Sequence, residues 1–238
     1  MKTILDEIKV HLSSFPTRKA QIILDIDDTL IDCRHRKHRV FQDFLREQSL
    51  WERYPRECEK LQMLSWESVC YRIDDNLKSA KIENLEFGQL LLSFWRQHYF
   101  TYPYLLEDRA FPGALRFVED CRALGLQIVY LTGRDTPGMG PGTFAGMKKL
   151  GFPTEGEDIF FYLKPEAHLD DYEFKKSALE QLTKHGPVIA ALENELGNLN
   201  AMAERFEEAL VYWRPTLYAP NPPLPHPRVR ILTHFPDK

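Results

Sequence analysis

Asp25, Asp27 and Asp28 follow directly on the apolar run Ile22-Ile23-Leu24. A β-strand alternates its side chains between two faces, so Asp25 and Asp27 share one face while Ile26 takes the other. Two carboxylates side by side at the end of a buried strand repel each other. A hard cation with oxygen ligands offsets that repulsion, so the spacing points to a metal-assisted carboxylate centre. Thr29, next in line, suits a cap or brace for the turn that must follow.

These residues need a scaffold, and the rest of the chain supplies one. A second apolar run, 127–131, ends in Thr132-Gly133-Arg134, and a third, 188–192, ends in Glu193-Asn194-Glu195. From residue 128 onward, strand patterns at 128–131, 159–163, 188–192, 209–213 and 229–232 alternate with helix patterns at 114–124, 143–150, 174–184 and 196–206. Such alternation implies crossover connections and a doubly wound, mostly parallel α/β sheet. In open sheets of this kind, ligands gather outside the carboxyl ends of the strands. Asp25, Asp27, Thr132 and Glu193 all fall at such ends.

Residues 33–108 differ, because they hold no strand run. Val40, Phe41, Phe44 and Leu45 repeat at helical spacing, as do Leu90, Leu91, Phe94 and Trp95. Three or more helices are therefore expected as an insert straight after the first acidic cluster. Trp51, Trp66, Trp95 and Tyr99 read as the core of that bundle. The basic run Arg34-His35-Arg36-Lys37-His38-Arg39 reads as a solvated helix face, with an electropositive entrance for an anionic substrate as the alternative. The prolines between 214 and 228 exclude a helix or a central strand, and a loop crossing the surface is expected there.

The bulk properties exclude several classes. The chain has 238 residues and a net charge of −4, which argues against a general nucleic-acid binder. No apolar run is long enough to span a membrane. Residues 1–12 mix Asp6, Glu7 and Lys9 with apolar positions, so they read as an amphipathic helix and lack the apolar core of a signal peptide. Cys33, Cys58, Cys70 and Cys121 form neither a Cys-x-x-Cys pair nor a zinc pattern with histidine, which fits free thiols and a cytoplasmic setting.

Asp25-Ile26-Asp27-Asp28-Thr29 resembles the first motif of the haloacid dehalogenase-like (HAD) phosphatases, Asp-x-Asp-x-Thr. The strand ending in Thr132 resembles the second motif, and Glu193-Asn194-Glu195 stands where the family places its fourth, acidic motif. The resemblance covers about residues 21–200. It implies a Rossmann-like HAD core formed by residues 1–32 and 109–238, with residues 33–108 as an inserted all-helical cap. It also implies Mg2+-dependent hydrolysis of a phosphate monoester of a small metabolite through an aspartyl-phosphate intermediate. Asp25 would be the nucleophile and a metal ligand. Asp27 would be the acid–base group and would lend the metal its main-chain carbonyl, with a pKa expected to be raised. Thr132 would hold a phosphoryl oxygen, and Gly133 and Arg134 would contact substrate.

The family also needs a lysine, and two stand in suitable places. Lys175 lies at an expected helix start, where N–H dipoles favour an anion, and Lys164 follows a strand and precedes Pro165. Glu193 and Asn194 would complete the metal set. Here the sequence departs from the family pattern of Asp-Asp or Gly-Asp with a further Asp: with Asn194 as the direct ligand one formal charge is lost and weaker Mg2+ binding is expected, whereas Glu193, bound directly or through a water, would restore that charge. Glu195 reads as a helix-start acid complementing the dipole. Two alternatives remain open on the same core: a phosphotransferase or mutase, and a non-catalytic binding protein. A dehalogenase proper fits less well, because Asp27 is a metal-site feature.

Overall fold

A computed structural model describes residues 3–15 and 19–236. Helix α1 (Ile4–Leu12) is capped by Thr3 and buries Ile4 and Ile8; positions 1 and 2 of the expected amphipathic helix lie outside the described residues. Strand β1 (Gln21–Leu24) is buried at every position. A short strand β2 (Ile31–Asp32) follows the acidic loop and leads into helices α2 (Arg34–Phe44), α3 (Gln48–Arg53), α4 (Pro55–Gln62), α5 (Ile73–Ser79), α6 (Leu85–His98) and α7 (Tyr102–Leu105). Strand β3 (Arg109–Ala110) returns the chain, pairing antiparallel with β2 through Ile31 opposite Ala110 and Asp32 opposite Arg109. This two-stranded ribbon is the base from which the helical insert leaves and to which it comes back.

The remainder alternates: α8 (Ala114–Ala123), β4 (Gln127–Asp135), α9 (Thr136–Lys149), β5 (Ile159–Lys164), α10 (Asp171–Leu182), β6 (Val188–Glu193), α11 (Leu196–Arg205), β7 (Leu210–Trp213) and β8 (Val229–Ile231). Six strands form one sheet in the order β5-β4-β1-β6-β7-β8, with every neighbouring pair parallel. The order reverses at β1, so the crevice beyond its carboxyl end is the place where such a sheet holds a ligand.

Strand alternation divides the core between two faces. Ile22 and Leu24 pack with Ile128, Tyr130 and the helices α1 and α8, whereas Ile23 packs with Val129, Leu131 and residues of α10 and α11. The insert has an apolar core of its own, built from Phe41, Phe44, Cys58, Phe87 and Leu91 among others. It contains more helices than the periodicity revealed, because α3, α5 and α7 are too short to repeat a pattern.

Helix α9 also begins earlier than the expected start at 143. Asp135 caps it, its Oδ1 accepting the Gly138 N–H at 2.6 Å, and Pro137 fits the first turn. The Pro and Gly content of 137–142 hides this start from a propensity argument. Gly142 has a packing reason: a Cβ there would lie 2.5 Å from Leu105 Cδ1 on α7.

Candidate active site

Asp25 emerges from β1 with its N–H bonded to the Leu192 carbonyl at 3.1 Å. The loop then folds back on itself, since the N–H groups of Leu30 and Ile31 both reach the Ile26 carbonyl at 3.0 Å. Asp28 sits at φ 55°, a left-handed conformation that Asp tolerates better than most side chains. This turn places Thr29 against Asp25, and its Oγ1 donates to Asp25 Oδ2 at 2.7 Å.

Lys175, on α10, reaches the other oxygen of the same carboxylate. Its Nζ lies 2.6 Å from Asp25 Oδ1 and 2.7 Å from Glu193 Oε2. The other Glu193 oxygen accepts the N–H groups of Asn194 at 3.2 Å and Glu195 at 3.1 Å. All three charged side chains are buried. Burial disfavours a charged Lys175, yet Asp25 and Glu193 outweigh it and hold the ammonium protonated far above its usual range. Burial pushes Asp25 upward despite Lys175. Burial, then the charge of Asp25, pushes Glu193 up to about 8. One cation thus serves two carboxylates.

Asp27 lives in a different environment. Arg134 grips it with two bonds, Nε to Oδ2 and Nη2 to Oδ1, both at 2.7 Å. Arg36 Nη2 reaches Oδ1 at 2.5 Å, and the Cys33 thiol donates to the same oxygen at 2.7 Å. Asp108 joins the two guanidiniums, lying 2.7 Å from Arg134 Nη2 and 2.9 Å from Arg36 Nε. The Arg36 guanidinium also stacks over the Tyr99 ring at 4.2 Å. Burial alone would raise the pKa of Asp27, but Arg134 and Arg36 hold it far below the usual carboxylate range. The upward shift expected for this residue is therefore reversed, because two guanidiniums stand beside it.

The other candidate residues fall as follows. Lys164 does not meet Asp25; its Nζ is bound to Asp171 at 2.6 Å and to the Leu169 and Ala167 carbonyls. Thr132 is buried at the end of the apolar part of β4, where its Oγ1 accepts the Arg134 N–H at 3.2 Å. Gly133 lies beneath Asp171, whose Oδ2 would be 2.4 Å from any Cβ at that position. Arg134, expected to contact substrate, is instead buried and spent on Asp27, Asp108 and Thr143, since two internal carboxylates compete for its guanidinium. Asn194 gives its amide N–H to the Leu217 carbonyl at 2.5 Å, and its Oδ1 faces Thr29 Oγ1 at 3.4 Å. Glu195 precedes α11 but spends its carboxylate on the Ala219 N–H at 2.9 Å.

The basic run is not a solvated face. Arg36 and Lys37 are buried, Lys37 Nζ donating to the carbonyls of Cys70 and Tyr71 at 2.9 and 2.6 Å. Arg36, Asp108 and Cys33 are the site-adjacent residues that sequence reasoning missed. A buried Arg in a run of six basic residues gives no local signal, and Asp108 lies far along the chain.

Two clusters could in principle hold a cation. Asp27, Cys33 and Asp108 offer ligand atoms within 4.8 Å of one another. Both of those carboxylates already face guanidiniums, so a metal ion there would meet two fixed positive charges. Asp25 and Glu193 converge on Lys175 Nζ, and Asn194 Oδ1 faces the Thr29 hydroxyl that bonds Asp25, so this cluster offers oxygen donors and two carboxylates against one ammonium. That chemistry fits a hard divalent ion.

The family described as HAD superfamily, subfamily IIIB (acid phosphatase) matches residues 93–223. No curated protein matches the chain. Among solved structures, a candidate phosphatase from Clostridium difficile superposes with a TM-score of 0.55 at 12% identity, over 82% of this chain and 84% of that one. Protein tyrosine kinase A of Mycobacterium tuberculosis superposes with a TM-score of 0.54 at 13% identity, over 91% and 93%. At such identities the likeness concerns the fold alone.

Proposed function

The chain belongs to the HAD superfamily, subfamily IIIB, an acid phosphatase family, and from that membership we propose a Mg2+-dependent phosphatase that hydrolyses a small phosphate monoester through a phosphorylated Asp25. The single observation that carries this reading is Lys175 Nζ held between Asp25 and Glu193, at 2.6 and 2.7 Å, in the crevice beyond β1.

Phosphate monoesters are inert because anionic oxygens repel an anionic nucleophile. Asp25 attacks phosphorus through a carboxylate oxygen, and the ester oxygen leaves with its electron pair. Thr29 and Lys175 fix the orientation of that carboxylate, so little rotational freedom is lost at the moment of attack. The Lys175 ammonium also offsets charge on the incoming phosphoryl group. The hydroxyl of Thr132, whose oxygen already accepts one N–H, keeps its own proton to donate to a phosphoryl oxygen. Asp25, Asn194 and Glu193, with the Asp27 main-chain carbonyl, would hold the metal, which supplies charge neutralisation of the phosphate.

Asp27 would carry the proton transfer, but both of its oxygens already accept from guanidiniums. Its acid–base role therefore requires both guanidiniums, Arg36 from the insert and Arg134 from β4, to loosen their hold on it. On this reading the helices between β2 and β3 form a cap, and their movement is coupled to the proton-transfer step.

The purified protein should hydrolyse p-nitrophenyl phosphate with Mg2+ and stop when a chelator is added. Asp25→Asn should lower turnover by about 10^4-fold or more while leaving the circular-dichroism spectrum unchanged. Retained activity in that variant would remove the covalent mechanism.

A further inference from the structure

The proline-bearing segment after β7 does more than cross the surface. Together with Trp213, the last residue of β7, it touches both acidic loops of the candidate site through residues 214, 216, 217 and 219. Trp213 Nε1 donates to the Asn194 carbonyl at 2.8 Å, and the Arg214 N–H to the Glu193 carbonyl at 2.9 Å. Thr216 Oγ1 donates to the Asp28 carbonyl. The Leu217 carbonyl accepts the Asn194 side-chain amide at 2.5 Å, and the Ala219 N–H donates to Glu195 at 2.9 Å. The segment is itself anchored, because Arg214 Nη1 donates to the carbonyls of Thr233 and Leu232 at 2.6 and 3.0 Å. Its guanidinium also lies over the Phe235 ring at 4.6 Å.

An amide side chain has a donating end and an accepting end. The Leu217 carbonyl can only accept, so it selects the NH2 end of Asn194 and turns Oδ1 the other way. Oδ1 then faces Thr29, whose hydroxyl is bonded to Asp25. A carboxylate at position 194 would set a lone pair against the Leu217 carbonyl, with no proton between them. This opposition gives a physical reason for Asn at a place where an extra negative charge would otherwise suit a cation.

We propose that residues 213–219 are a positioning strap, which orients Asn194 so that its Oδ1 serves as a neutral oxygen ligand beside Asp25. The inference rests on the reading of Asp25, Glu193 and Asn194 as a cation site. Groups that orient metal ligands from behind commonly change metal affinity by tenfold or more when removed.

The test uses the full chain and Mg2+ alone, titrated by calorimetry, with melting temperatures recorded in chelator. Thr216→Val and Trp213→Phe should each weaken Mg2+ binding by about tenfold. Their metal-free melting temperatures should stay close to that of the wild type, and Thr216→Ser should restore the affinity. Unchanged Mg2+ affinity in both loosened variants would overturn the strap while leaving the cation site standing. A loss of affinity matched by a general loss of metal-free stability would also overturn it. Absence of Mg2+ binding by the wild type would remove the cation site and the strap together.

Discussion

Two ionic clusters lie side by side where β1 ends, the one around Asp25 buried and the one around Asp27 partly open, and they differ in how their charge is balanced. Around Asp25, two carboxylates share the single ammonium of Lys175. Around Asp27, two carboxylates share two guanidiniums, those of Arg36 and Arg134. Uncompensated charge in a buried place is costly, so the first cluster gains by taking up protons or a cation, and the second gains nothing. Convergence of ligand atoms is a poorer guide than charge balance. Asp27, Cys33 and Asp108 converge closely, yet every charge there is already answered. The deficit at Asp25 is what makes that cluster receptive.

The largest effect should come from breaking the under-compensated side. Lys175→Met leaves Asp25 and Glu193 buried together without a counter-charge. In chelator the loss should be about 3–5 kcal/mol of folding stability, measured by denaturant titration, with partial recovery on adding Mg2+. A variant as stable as the wild type would show that the charge deficit is not real. On the balanced side, Asp108→Asn leaves two guanidiniums facing one carboxylate. A smaller loss of about 2 kcal/mol is expected, with Mg2+ affinity unchanged; weakened Mg2+ binding would mean that the two clusters act as one.

The smallest effect separates the clusters by pH. Glu193 is raised to about 8 in the folded chain, so the metal-free fold binds more protons than the unfolded chain over that range. Its contribution to stability is fully present below its ordinary pKa and is lost as the pH rises through about 8. In chelator, the melting temperature should therefore fall by a few degrees between about pH 5 and pH 9. Glu193→Gln should reduce that slope, with Asp28, also raised to about 8 by burial, keeping part of it, and saturating Mg2+ should reduce it in the wild type. A slope untouched by Glu193→Gln would place its origin elsewhere.

The sheet was legible because its strands are buried on both faces and read as near-continuous apolar runs, as in Ile22–Leu24 and 188–192. The sequence favoured Lys175 over Lys164 because a helix start favours an anion; in the structure Lys175 meets Asp25 and Lys164 meets Asp171. The partners of Asp27 were not legible. Arg36 is one of six consecutive basic residues, and only the fold turns it inward to Asp27 and Asp108. Arg134 read as a substrate contact because the sequence could not show that Asp108 returns beside it. The segment after β7 read as plain surface loop because its bonds to Asn194, Asp28 and Glu195 are made mostly by backbone groups, which composition does not report.

The most direct test is crystallographic, on crystals grown with Mn2+ in place of Mg2+ and measured for anomalous scattering. The charge-deficit account predicts one strong peak within coordination distance of the Asp25 carboxylate, on the side facing Glu193 and Asn194. A peak among Asp27, Cys33 and Asp108, with Arg36 or Arg134 displaced to admit it, would contradict that account.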